Sequence, residues 1–225
     1  MAELPFDLVT VDIDGTLTIE SGWRFFARRR DKVGEYDATN LRYLDGKESE
    51  DVHLRGLLRI VEGVPISRVE AWMEETPKLL GIREAVGTLR AMGATVALLS
   101  HNPGYVSDWY ARRFGFEDWD GTSDRPEPEV VDGVVGPPGG IRADKIGGLR
   151  RLLERHPTAP TRVAHLGDAW ADAQVFPRVG FGIAINSTSI ETIRAADLSI
   201  RILDLREVVE PLRTAHPRSG PELTL

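Results

Sequence analysis

Val9-Thr10-Val11-Asp12-Ile13-Asp14-Gly15-Thr16-Leu17-Thr18 decides how this chain is read. A short β-branched run predicts a buried strand, and at its C-terminal end stand two carboxylates, a glycine and a hydroxyl. Side chains alternate along an extended chain, so Ile13 points away while Asp12 and Asp14 share one face. Two acids crowded at a strand end are costly unless a cation or a shared proton compensates. In open α/β sheets the ligand crevice lies just outside the carboxyl ends of the strands, which is where this cluster falls. The pattern points to a metal-assisted site with one acid free for covalent or proton-transfer work. A plain Asp-Gly-Thr hairpin turn is the alternative, and other strand ends must decide between them.

Working outward, further strands are predicted over 95–99, 163–166, 182–185 and 198–202, after the first at 8–11. Helical patterns near 82–92, 105–114, 142–155, 171–179 and 189–195 alternate with them. This alternation implies an α/β fold: a Rossmann-like, mostly parallel sheet with helices on both faces. Val130-Val131-Asp132-Gly133-Val134-Val135 predicts a hairpin, read as an appendage to the main sheet, and Pro137-Pro138-Gly139-Gly140 ends it. From about residue 18 to 80 no strand is predicted, only helices near 22–30, 48–61 and 67–75, the last opened by a Ser67/Glu70 capping box. The expected organisation is a core over 1–17 and 81–212, a small helical cap over 18–80 inserted after the first strand, and a flexible tail over 213–225.

The chain has 225 residues, 41% of them hydrophobic and 28% charged, as in an ordinary globular protein. A net charge of −7 argues against nucleic acid as a partner. With no cysteine there is no disulfide or thiolate chemistry, so a bound metal must be held by oxygen or histidine. No apolar run approaches membrane-spanning length, and the N-terminal stretch lacks a signal pattern, so a cytoplasmic location without membrane contact is expected.

Three later elements fall at the same predicted crevice. Leu98-Leu99-Ser100-His101-Asn102 ends a strand with a hydroxyl that can donate to a phosphate oxygen. Lys145 opens a helix, where positive charge is unfavourable unless an anion offsets it. In Val163-Ala164-His165-Leu166-Gly167-Asp168-Ala169-Trp170-Ala171-Asp172 a strand again runs into Gly-Asp, with Asp172 four residues on. Oxygen ligands at several strand ends suit Mg²⁺.

In their order and on these element types, Asp-x-Asp-Gly-Thr, a strand-end Ser, a Lys and Gly-Asp-x-x-x-Asp resemble the haloacid dehalogenase superfamily of phosphatases across residues 6–200. The helical insertion is similar to that family's small cap, and Gly63-Val64-Pro65-Ile66-Ser67-Arg68-Val69-Glu70 with the Asp-Gly hairpin resembles the phosphoserine phosphatase group. The resemblance implies a Mg²⁺-dependent phosphomonoesterase acting on a small phosphorylated metabolite. It makes Asp12 the nucleophile and Asp14 the general acid and base. It places Thr16, Ser100, His101 and Lys145 on the phosphoryl oxygens, and Asp12, the Asp14 carbonyl, Asp168 and Asp172 around the metal.

The chain departs from that group in the substrate pocket. Glu20 stands one residue early for the glutamate that holds the amino acid. The arginine position, counted back from Pro65, falls on Leu57 with Arg55 and Arg59 beside it. His101 replaces the usual glycine and Ala171 the usual asparagine. Glu20, Trp23, Arg24 and Arg55 are the candidate substrate residues, with Arg42 and His53 as further pocket candidates. Trp170 is expected either at the site edge or in the core. A phosphotransferase, or a phosphatase of a sugar phosphate or biosynthetic intermediate, would keep the same reacting residues. A non-enzymatic binding module would not keep Asp12, Asp14, Lys145 and Asp168 together, and a receiver-like signalling domain would lack the insertion. Oligomeric state is not legible.

Overall fold

The computed structural model describes residues 3–44, 47–122, 130–136 and 144–218. Six parallel strands form one sheet: β1 (Leu8–Val11), β2 (Thr95–Leu99), β3 (Asp118–Asp120), then β6 (Val163–Gly167), β7 (Phe181–Ile185) and β8 (Leu198–Ile200). Their order is β3-β2-β1-β6-β7-β8. The chain runs outward from β1 on one side and returns to β6 on the other, so the strand order reverses beside β1. A crevice opens at such a reversal, outside the carboxyl ends of the strands.

Period-two alternation sorts the strand residues onto two cores. Val9, Val11, Val96, Leu98, Ala164 and Leu166 belong to one apolar cluster, and Leu8, Ala97, Leu99 and Val163 to the other. All four residues of β1 are buried, as a central parallel strand covered on both faces requires. The second cluster is closed by Leu149 and Leu152 of α7 (Lys145–Arg155). Helices α5 (Ile82–Ala91), α6 (Gly104–Phe114), α8 (Trp170–Val175), α9 (Ile190–Ala195) and α10 (Val209–Thr214) complete the layers.

Between β1 and α5 lie four described helices: α1 (Gly22–Arg29), α2 (Val33–Leu44), α3 (Glu50–Leu58) and α4 (Ile66–Glu75). Helix α1 buries Trp23, Phe26 and Ala27, the i, i+3, i+4 stripe of an amphipathic helix, and Phe26 meets Trp72 of α4. The chain enters and leaves this insertion through two antiparallel segments. The Ile19 N–H donates to the Pro77 carbonyl and the Leu79 N–H to that of Leu17, both at 2.9 Å.

Several expectations are corrected. The hairpin β4 (Val130–Val131) and β5 (Val134–Val135) is not attached to the main sheet; it docks on the insertion. The Gly63 N–H donates to the Val135 carbonyl and the Val135 N–H to that of Val64. Helix α4 begins at Ile66 after Pro65 and makes no side-chain cap, so the Ser67/Glu70 capping box does not form. Strand β3 and helix α2 were not anticipated. Arg213 and Thr214 belong to α10, and Arg218 bonds Asp197 and the Phe176 carbonyl, so the expected loose tail fails over 213–218. Pro137-Pro138-Gly139-Gly140, the start of the helix expected from 142, and the rest of the tail lie outside the described residues.

Candidate active site

The carboxyl ends of β1, β2 and β6 converge on a dense cluster of charge. Asp12 follows β1 directly, and its N–H donates to the Leu166 carbonyl at 2.9 Å, which extends the pairing with β6 by one residue. On the other side the Ser100 N–H donates to the Asp120 carbonyl. Sheet pairing thus fixes the first residue beyond each strand, and these residues face the crevice.

Lys145, the first residue of α7, is buried and places Nζ 2.9 Å from Asp12 Oδ1 and 2.5 Å from Asp172 Oδ1. Burial and the positive end of the helix both disfavour its charge. The fields of Asp12 and Asp172 outweigh them and hold the ammonium above its ordinary range. Asp144 caps the same helix, accepting from the Gly147 N–H at 2.9 Å, and so orients Lys145. For Asp12, burial raises the carboxyl pKa against the opposing pull of Lys145.

Asp172 is fully buried and has four donors. Lys145 and His165 Nε2 meet Oδ1, while the Asp168 and Ala169 N–H groups donate to Oδ2 at 3.1 and 3.0 Å. Burial alone would raise its pKa, but Lys145 and His165 hold it well below the carboxylate range. His165 Nδ1 in turn meets Thr10 Oγ1 at 2.8 Å across the β1–β6 register. Asp12, Asp168 and Asp172 each bring an oxygen within 4.8 Å of the others. Because both oxygens of Asp172 are already engaged, Asp12 and Asp168 are the pair more open to a cation. Asp172, expected as a ligand, remains in the group of three acids that could hold a metal, and it also braces Lys145 and the Gly-Asp turn.

Asp168 has its carboxyl pKa pushed up to about 8, first by burial and then by Asp12 and Asp172. Thr16 Oγ1 donates to its Oδ1 at 3.1 Å. Thr16 is wholly buried, with its N–H turned to the Ile13 carbonyl. It therefore leaves the expected phosphate-binding set and holds Asp168 instead. Gly15 makes this approach possible: its φ is +77°, and a Cβ there would lie 2.1 Å from Asp168 Oδ2.

Asp14 faces the insertion. Its Oδ1 accepts from the Gly22 N–H at the start of α1 (2.6 Å) and its Oδ2 from Asn102 Nδ2 (2.8 Å). Burial raises its pKa to about 6, against the downward pull of those two donors. Asn102, to which the sequence pattern assigns no role, is the hub. The Trp23 indole can only donate, so the amide must turn Oδ1 toward Trp23 Nε1, at 3.0 Å. That leaves Nδ2 for Asp14 and for Ser100 Oγ, the latter at 2.9 Å. The one signal in the sequence is a polar residue two positions past the strand-end serine, just ahead of a Pro-Gly helix start.

Above the cluster lies a cavity of about 300 Å³, whose walls include Trp23, Tyr36, Tyr43, His53, Leu54 and Leu57 of the insertion and Ser100 and His101 of the core. His101 Nδ1 lies 2.9 Å from Glu50 Oε1 of α3, a contact from core to insertion. Trp170 lines the same cavity and is 53% exposed, so it stands at the site edge. Trp23 and His53 are thus brought to the cavity, but Glu20, Arg24, Arg42 and Arg55 are not among its walls. Glu20 pairs with Arg28 near the surface, Arg24 is exposed, Arg42 pairs with Glu48 and Arg55 with Asp51. Sequence spacing could not say which face of each helix looks inward.

This arrangement belongs to a known class. Residues 6–180 match the family model described as haloacid dehalogenase-like hydrolase, and the chain belongs to that hydrolase family. No curated protein matches it in sequence. Among solved structures it is similar to a haloacid dehalogenase family hydrolase from Salmonella enterica serovar Typhi: TM-score 0.81, 17% identity, 94% of this chain and 72% of that one covered. It is also similar to a substrate-bound phosphoserine phosphatase, with a TM-score of 0.75, 20% identity and coverage of 92% and 98%. A phosphoserine phosphatase from T. onnurineus gives a TM-score of 0.68 at 24% identity, with coverage of 96% and 99%. At these identities the likeness establishes a shared fold.

Proposed function

We propose that the chain is a Mg²⁺-dependent phosphomonoesterase of small metabolites that works through an aspartyl-phosphate on Asp12. The observation that carries this reading is the pairing of two buried acids with different partners. Asp12 lies 2.9 Å from a permanent ammonium, whereas Asp14 has a pKa of about 6 and hydrogen bonds from Asn102 and Gly22. Lys145 opposes the burial that raises the Asp12 carboxyl and so favours its anion, while Asp14 is placed to exchange a proton near neutrality.

In the first step an Asp12 carboxylate oxygen attacks phosphorus and the bond from phosphorus to the ester oxygen breaks. Asp14, protonated, gives its proton to that oxygen, and the alcohol leaves. In the second step Asp14, now a carboxylate, takes a proton from water as the water oxygen bonds to phosphorus. The acyl-phosphate bond breaks, returning Asp12 and inorganic phosphate. Ser100 accepts two N–H bonds from Asn102 and so has its own O–H to give to a phosphoryl oxygen. Lys145 neutralises charge that develops there.

Three carboxylates, Asp12, Asp168 and Asp172, face the single ammonium of Lys145, and an all-oxygen donor set with that charge deficit fits Mg²⁺. Asp12, Asp168 and the Asp14 carbonyl would hold it, where it would supply Lewis-acid stabilisation of the phosphoryl oxygens. Phosphate release from p-nitrophenyl phosphate, with Mg²⁺ and with chelator, tests the reading. Metal-dependent release that Asp12→Asn abolishes is expected, and release that survives this substitution would sink the assignment. No described helix is long and apolar enough to cross a membrane.

A further inference from the structure

Resting on that reading of the reaction, we propose that the insertion cavity selects phosphomonoesters of uncarboxylated alcohols of about hexose size, presenting an apolar face and hydrogen-bond donors, amines above all. Two features of the wall carry this: among the described residues it has no lysine or arginine free for a carboxylate, and it carries acceptors, the Glu50 carboxylate and a partnerless His53 nitrogen.

Among the described residues, Lys145 is the cavity's one lysine or arginine, and its ammonium already sits between Asp12 and Asp172. The far wall is made by Tyr36 and Tyr43 of α2 with Leu54 and Leu57 of α3, and the acid on that side is Glu50. Leu57 is also the position where the family resemblance led to an arginine. A carboxylated leaving group would be desolvated there without a counter-charge and beside a like charge, and an unpaired buried charge is strongly unfavourable.

The same wall carries hydrogen-bond acceptors. His53 is 9% exposed, stacks on Tyr43 with ring centroids 4.5 Å apart, and bonds the Thr39 backbone, while its Nδ1 has no partner. Burial keeps this ring neutral by lowering its pKa. With one ring nitrogen engaged at the Thr39 backbone, Nδ1 is a buried lone-pair acceptor without a partner, on a residue that lines the cavity. Glu50 adds a carboxylate whose Oε1 is held by His101. Buried acceptors without donors favour a ligand that brings O–H or N–H groups and penalise one that brings only more acceptors. The tyrosine and leucine faces suit the apolar side of a ring.

Matched substrates test this. Phosphoethanolamine and phosphoserine differ by one carboxylate, and glucosamine 6-phosphate, glucose 6-phosphate and 6-phosphogluconate vary amine, hydroxyl and carboxylate on one frame. At least a tenfold higher kcat/KM is expected for the uncarboxylated member of each comparison, with the amino sugar ahead of the neutral one. Glu50→Gln should erase the amine preference. Leu57→Arg should narrow or reverse the discrimination against carboxylate, a gain that misfolding cannot mimic. Calorimetric binding of glucosamine 6-phosphate and 6-phosphogluconate to the Asp12→Asn protein should show the same order without turnover.

Equal or reversed preference in wild type overturns the proposal. If p-nitrophenyl phosphate is hydrolysed with Mg²⁺ while the matched substrates are not discriminated, the substrate class fails and the reaction stands. If p-nitrophenyl phosphate is not hydrolysed, the reaction reading fails and this proposal with it.

Discussion

The floor of the site and the wall above it treat polar groups in opposite ways. On the floor each charge is locked to a partner: Lys145 to Asp12 and Asp172, Asp172 to His165 and two N–H groups, Asp168 to Thr16, Asp14 to Asn102 and Gly22. In the wall, His53 Nδ1 and His101 Nε2 have no partner and the surroundings are tyrosine and leucine. Preorganised charge is what a reacting phosphoryl group needs, since reorienting dipoles during the reaction would cost barrier height. The wall is less fully paired than the floor. On the proposed reading, the reaction is written in the sheet and the choice of substrate in the insertion.

That contrast can be broken most severely at Asp12. Asp12→Asn leaves the carboxamide oxygen near Lys145 but removes the nucleophile, and phosphate release should fall by a factor on the order of 10³ or more. Lys145→Met comes next. It strands Asp12 and Asp172 as buried acids, so thermal or urea unfolding should show a loss of about 3–5 kcal/mol together with lost turnover.

Asp168→Asn should act in the opposite direction on stability. The carboxyl pKa of the metal-free folded protein is raised to about 8 from 3.8. Folded protein thus binds more protons than unfolded between those values, and this group makes stability fall as pH rises through that window. The metal-free variant should melt higher than wild type at pH 8, with the gap closing toward pH 4. Mg²⁺ should raise the melting temperature of wild type but not of the variant. A lower melting temperature for the variant at pH 8 would mean that burial and the neighbouring acids do not disfavour the Asp168 carboxylate.

Asn102→Ala tests the hinge between floor and wall. Removing the amide donor lets the Asp14 pKa rise above about 6, so the corresponding inflection in the pH profile of kcat/KM should move to higher pH. Loss of the Trp23 contact should raise KM as well. Glu20→Gln is expected to do least. Its pair with Arg28 lies near the surface, so stability should change by under about 1 kcal/mol and turnover not at all.

The strands of the sheet were legible because β-branched runs bounded by turn residues have few other uses, and the motif acids fell at their ends. Strand β3 was not, since Asp118-Trp119-Asp120 is an edge strand with two acids and no apolar run. Helix α2, Val-Gly-Glu-Tyr-Asp-Ala-Thr-Asn-Leu-Arg-Tyr-Leu, lacks a clear apolar stripe, because one side of it lines a cavity rather than a core. At the site, Asp12, Asp14, Ser100, Lys145 and Asp168 could be placed together from spacing and strand ends. The bracing of Lys145 and the Gly-Asp turn by Asp172 could not, because it depends on which oxygen holds which hydrogen bond. The cap residues were the worst read. Glu20, Arg24 and Arg55 have the right chemistry for a substrate, but a helix face is set by packing that spacing alone does not reveal.

The central claim is that Asp12 carries the phosphoryl group during turnover. Acid quenching of the protein in mid-turnover with p-nitrophenyl phosphate and Mg²⁺, then borohydride reduction and peptide mass spectrometry, tests it directly. An acyl-phosphate is reduced to the alcohol, so position 12 should appear as homoserine, and Asp12→Asn should give no such peptide. Steady turnover with no reduced residue, or reduction at Asp14 or Asp168 instead, would contradict the account.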